Sequence, residues 1–121
     1  MGHYAGAGDP ARTESALETL AEIRSEAQAT VERTQETVAD LQGRLDALGP
    51  APGEGAPPER AEVRQKRNKL ERDLSSYKSR KSLAELALAR ASSLQERLSR
   101  EERTRLIAHL LTQGPLPYLP G

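Results

Sequence analysis

A chain of 121 residues with no Trp, no Phe and three Tyr has room for one domain at most, and its core alphabet is Leu, Ala, Val and Ile. That poverty of aromatics argues against a globular enzyme fold with a deep pocket and suits a thin helix–helix seam. The formal net charge is zero with 30% charged residues, so nothing drives the whole chain toward nucleic acid or an acidic membrane. With no cysteine, the chain depends on no disulfide and no thiolate zinc site.

Residues 1–9 are small and Gly-rich and read as a flexible leader; Met1-Gly2-His3 has the look of expression residue, and His3 reads as a surface side chain. The leader carries no apolar run with a basic flank, so it does not read as a signal peptide. Asp9 can cap a helix whose first turn accepts Pro10, and Ser15 with Glu18 offers a second capping box a little further on. Helix one then runs to Leu48. Its stripe is Leu17, Leu20, Arg24, Ala27, Val31, Thr34, Val38, Leu41, Leu45 and Leu48, spaced three and four apart. That is a seven-residue repeat, which seats a partner along its whole length.

Residues 49–58 hold four Pro and three Gly, and no helix continues through them. Gly49 suits the left-handed position that ends a helix and Pro50 makes the stop firm; Pro57 and Pro58 close the linker. Helix two is expected over 59–112. Val63, Arg67, Leu70, Leu74 and Tyr77 give its first stripe, then 78–82 has no apolar side chain and could mark a kink into a third helix. Leu83, Leu86, Leu88, Leu94 and Leu98, padded by Ala84, Ala87, Ala89 and Ala91, continue a broader face. Two striped helices joined by a short stiff linker fold back on each other, so the expected class is all-α: an antiparallel helical hairpin or coiled coil.

Counted from Ser15, helix one has roughly 34 residues and spans about 50 Å, while helix two has roughly 54 and spans about 80 Å. Pairing Leu48 with Glu59 brings the start of helix one beside Ala91 and leaves some twenty residues of helix two overhanging, with Leu94, Leu98, Leu106, Ile107, Leu110 and Leu111 in the overhang. An apolar face without intramolecular cover implies a partner, either another copy or the remainder of a parent chain. Charge agrees with antiparallel folding. Residues 12–48 hold eight acidic and four basic side chains, and 60–81 hold nine basic and three acidic. This sets Asp40 near Arg67 and Glu26 near Lys81, worth about 0–1 kcal/mol per exposed pair. Residues 113–121 end helix two by the same Gly-Pro device and read as a Pro-rich extended tail.

For catalysis, metal or cofactor binding the sequence offers no residue set, and no small-molecule substrate is implied. His109 reads as a surface or interface side chain, Glu101-Glu102 as a solvated face, and 49–58 lacks the strand and the Lys-Ser/Thr that would make it a phosphate loop. The basic run at 60–81 could meet phosphates, but the acidic helix beside it and the near lack of aromatic platforms make nucleic acid the weaker reading. Arg97, Arg100, Arg103 and Arg105, close to Leu106, Ile107 and Leu110, leave contact with a membrane surface as a further option.

The linker carries a resemblance. Leu45-Asp46-Ala47-Leu48-Gly49-Pro50, followed by Pro52-Gly53-Glu54-Gly55-Ala56-Pro57-Pro58-Glu59, resembles an N-terminal domain of unknown function in the large proteobacterial mechanosensitive channels of the small-conductance family. Arg67 and Leu70, the Ala/Leu-rich run over 83–98, and Leu110-Leu111-Thr112-Gln113-Gly114-Pro115 extend the likeness to about residues 15–119. The resemblance implies a periplasmic helical domain attached to the inner membrane through a parent chain, with a structural or assembly role and no ion conduction of its own. A free-standing coiled-coil scaffold or adaptor, in the cytoplasm, that binds a partner through the 94–111 face is the alternative. Packing and interface residues are then Leu41, Leu45, Leu48, Leu70, Leu74, Tyr77, Leu94, Leu98, Leu106 and Leu110.

Overall fold

The computed structural model describes residues 9–112; the expectations for His3 and the rest of 1–8, and for the 113–121 tail, lie outside the described residues. The chain forms two helices that pack antiparallel, α1 over Pro10–Ala47 and α2 over Ala61–Thr112. Asp9 sets the start of α1: its carboxylate accepts the Ala11 amide at 3.0 Å and its carbonyl accepts the Thr13 amide at 3.0 Å. A capping oxygen here satisfies donors that no helical carbonyl can reach, and Pro10, which has no amide hydrogen, fits the first helical position.

α1 closes by tightening. The Leu48 and Gly49 amides bond three residues back, to Leu45 and Asp46, and Gly49 then turns left-handed at φ 76°. The linker makes a further tight turn in which the Ala56 amide reaches the Gly53 carbonyl at 3.1 Å, and Gly55 at its third position has φ 83°, a conformation that costs glycine nothing. The first helical hydrogen bond of α2 runs from the Arg64 amide to the Arg60 carbonyl, so α2 begins at Ala61, two residues later than the expected 59–112 span. Glu59 therefore stands outside the helix, where its side chain has another use. α2 is unbroken across 78–82, which lacks Pro and Gly, so three helices are not formed.

Burial follows the seven-residue repeat. Along α1 the buried positions are Thr13, Ala27, Thr34 and Leu41; along α2 they are Arg67, Leu74, Ala84 and Ala91. Leu20, Val31, Val38 and Leu45 of α1, Leu48 just past its end, and Val63, Leu70, Tyr77, Leu88 and Leu98 of α2 are half-buried beside them. Three of the five buried apolar residues are alanine, so this is a close-approach seam of small volume. The continuation of α2 differs from the expected Leu83, Leu86, Leu94 face. The alternation of four and three leads from Tyr77 through Lys81, Ala84, Leu88, Ala91 and Gln95 to Leu98, and leaves those three leucines exposed. Spacing decided the seam over hydrophobicity, because a helix cannot turn its leucines inward without leaving the repeat.

The contacts form two compact units. One comprises Glu26–Leu88 and contains the linker; the other comprises, among the described residues, 9–25 with 89–112. In the second unit Arg24 Nη1 donates to Gln95 Oε1 at 2.7 Å, which fixes the register there. Fourteen residues back from Arg24 is Pro10 and fourteen residues on from Gln95 is His109, so the overhang of some twenty residues is not formed. Two causes add: α1 starts at Pro10 and not at Ser15, and Arg24 meets Gln95 where pairing Leu48 with Glu59 would set it against Leu83, a displacement of twelve residues that the linker running through Arg60 allows. The expected cross-helix ion pairs move with it. Asp40 binds Arg44 of its own helix at 3.1 Å, Arg67 binds Glu59, and no ion pair joins Glu26 to Lys81 among the described residues.

Candidate interaction surfaces

Within Glu26–Leu88 the most ordered chemistry lies at the linker. Arg67 is 7% exposed, an unusual position for a guanidinium, and it spends its donors in three directions. Nε lies 3.2 Å from both Glu59 carboxylate oxygens, Nη2 2.7 Å from Oε2, and Nη1 2.9 Å from the Gly49 carbonyl. One side chain on the second turn of α2 thus holds both ends of the linker. The hydrogen bond from Arg67, ahead of the opposing desolvation, holds the Glu59 carboxyl below its ordinary 4.5, and the same bond raises Arg67. Arg67 appears in the α2 stripe by spacing, but its pairing with Glu59 eight residues earlier could be found only once Glu59 is known to leave the helix.

The buried polar side chains are satisfied. Thr34 Oγ1 donates within its own helix, to Thr30 O at 2.7 Å or Val31 O at 3.1 Å, and Thr13 Oγ1 does the same to Asp9 O at 3.1 Å. Among the described residues no buried side-chain nitrogen or oxygen lacks a partner. Polar residues therefore sit in the seam without orphaned groups, at the expense of apolar contact.

The named residues divide between seam and surface. Leu41 and Leu74 are buried, Leu45, Leu48, Leu70, Tyr77 and Leu98 are half-buried, and Leu94 is 40% exposed. Leu94 and Leu98 line a groove with Ala16, Thr19 and Leu20 in the unit of 9–25 with 89–112. Of the turn residues, Gly49 is half-buried under Arg67, while Pro50, Pro57 and Pro58 are exposed and act only on the backbone. Tyr77 offers its ring face to the Arg80 guanidinium at 4.6 Å, an intrahelical cation–π contact.

Leu106, Ile107, Leu110 and Leu111 are the most exposed apolar group, at 58%, 52%, 58% and 74%. At 100° per residue they share one face about 140° wide. The half-buried Glu102 and Arg105 lie on the other side of the helix, so this face points away from α1 and would be uncovered at any length of α1.

Chemistry of other kinds has little to work with. Among the described residues no group of three His, Cys, Asp or Glu side chains could hold a metal ion, and the grooves are open to solvent along their length. No helix of the described residues is long and apolar enough to cross a membrane. No family model, curated protein or solved structure matches the chain, so its geometry stands without a relative to read it by.

Proposed function

We propose that the chain is a structural assembly module, a helical hairpin that works by helix packing and carries no catalytic, metal or cofactor site. The observation that carries this reading is the exposed face of Leu106, Ile107, Leu110 and Leu111, which no segment of the described hairpin is placed to cover. A two-turn apolar face of this kind is normally buried in a larger assembly. The likeness of its Gly/Pro linker to the mechanosensitive-channel domain supplies the setting: an extramembrane, periplasmic element packed against the remainder of a membrane protein and conducting no ions itself.

The lack of any cysteine makes the test direct. Leu110→Cys is labelled with a membrane-permeant maleimide in intact cells and again after purification. Protection in cells together with free labelling of the purified chain is expected; equal labelling in both settings would sink the assembly reading. Sedimentation of the protected species with membranes supports the channel-like setting. A protected species in the soluble fraction supports instead a free-standing scaffold that binds its partner through 94–111.

A further inference from the structure

Over 75–86 the outward face of α2 carries no charge, whereas the same face one heptad earlier carries Lys69 and Arg72. Positions turned away from a two-helix seam are normally the charged ones, and 30% of this chain is charged. Here they carry Ser75, Ser79, Ser82, Leu83 and Leu86, with Leu83 67% and Leu86 46% exposed. Leu83 borders an open groove of about 800 Å³ whose floor and walls are Leu45, Leu74, Ser75, Ser79 and Ser82, with Glu71 and Lys78 at its edge. Short serine side chains leave the hollow; the leucines stand proud of it. A protrusion and a recess on the same face are the signature of a surface that can receive a copy of itself.

We propose that this face is the interface of an isologous homodimer, in which α2 of one copy lies antiparallel on α2 of a second copy with the two-fold axis beside Ser82. About that axis, residues three or four positions after Ser82 face residues three or four positions before it. Leu86 of each copy then lies over Ser79 of the other, large on small, and Leu83 lies close to its own symmetry mate. Orientation is decided by charge. Lys78 and Glu85 are seven residues apart and so flank the stripe on the same side. Antiparallel pairing sets Glu85 against Lys78 twice, whereas parallel two-fold pairing puts this flank of the two copies on opposite sides of the interface and forms neither pair. The surface used is distinct from 106–111, although the inference rests on reading the chain as a packing module.

The test is the molar mass of the purified chain by light scattering over a hundredfold concentration range, with circular dichroism to check that each variant stays helical. The mass is expected to rise toward twice the 13.2 kDa of the chain. Leu86→Lys weakens association by at least about tenfold, as loss of a central contact does. Lys78→Glu weakens it alone, and Lys78→Glu with Glu85→Lys restores it. Ser82→Cys, close to the axis, gives a disulfide-linked dimer on oxidation, and Leu110→Asp leaves the dimer intact. A mass steady at 13.2 kDa into the millimolar range, or a dimer indifferent to Leu86→Lys, overturns the proposal. A dimer abolished by Leu110→Asp overturns it too, and leaves the reading of 106–111, judged by maleimide protection, standing.

Discussion

Two glycines six residues apart should respond to the same substitution with opposite signs. Gly43 lies in the exposed interior of α1, and a Cβ added there meets nothing within 4 Å. Gly43→Ala therefore changes only the backbone: alanine loses less conformational freedom on entering a helix, which stabilises by about 0.8–1 kcal/mol. Gly49 also has open space around its missing Cβ, but its φ is +76°. Alanine in that region sets Cβ against the following carbonyl and costs about 1–2 kcal/mol. At this chain size about 1 kcal/mol moves the melting midpoint by some 4–6 °C, so Gly43→Ala should melt higher than the parent and Gly49→Ala lower. Urea unfolding followed by circular dichroism at 222 nm reads both, with an unchanged slope as the check that unfolding remains two-state. Gly49→Asn should fall between parent and Gly49→Ala, since Asn tolerates the left-handed region. If Gly49→Ala stabilised as Gly43→Ala does, the linker would not be held in the left-handed turn and the register pinned through it would be lost with it.

Leu41→Ala, which empties one of the two buried leucine positions, should cost about 2–3 kcal/mol, near the low end for buried leucine because the seam is thin. Leu83→Ala should change stability by no more than about 0.5 kcal/mol at protein concentrations too low for association; a large loss there would show that the observed repeat is misplaced. Thr34→Val should be neutral or stabilising by up to about 1 kcal/mol, since the hydroxyl bonds only within its own helix and the methyl adds apolar contact. For pH the sign follows from Glu59. Its folded carboxyl titrates below 4.5 and its unfolded carboxyl at about that value, so between the two the unfolded chain binds more protons. Stability from the Arg67 pairing is full above 4.5 and is lost as pH falls through the folded value. Glu59→Gln should lower the melting midpoint at neutral pH and flatten its fall on acidification; an acid profile identical to the parent's would exclude Glu59 as its source.

What could be read from the residues depended on how local its cause is. The linker was legible because Gly and Pro act through their own backbone: Gly49 and Pro50 end a helix whatever surrounds them. The α1 stripe was legible because its polar members, Arg24 and Thr34, keep the same spacing as its leucines. The α2 stripe past Ser82 was legible only in part: Ala84, Leu88, Ala91 and Leu98 of the expected face lie in the seam, but leucines at 83, 86 and 94 advertise a face that the repeat does not use, and Lys81 and Gln95 take seam positions instead. Register was the least legible feature. A sequence that repeats every seven residues pairs nearly as well after a slip of one heptad, and the choice falls to contacts between residues far apart in the chain.

Arg67 is placed to bias that choice. In a seam whose buried apolar residues are two leucines and three alanines, neighbouring registers differ little in apolar burial. A one-heptad slip near the linker would, however, carry Arg67 away from the Gly49 carbonyl, leaving a buried guanidinium without one of its acceptors. Glu59 cannot follow α1, because it is tied to α2 only two residues before that helix begins. The pair is therefore better understood as a device that penalises wrong registers than as a source of net stability, in keeping with the general behaviour of buried ion pairs. On this view Arg67→Met combined with Glu59→Met, which leaves no buried charge unpaired, can keep the melting midpoint close to the parent value while broadening the set of pairings. Cysteines at Asp46 and Glu71, which border the same groove as Arg67, would then be joined by a short bis-maleimide less completely in that double variant than in the parent background. Equal yields in the two backgrounds would assign the register to the leucines after all.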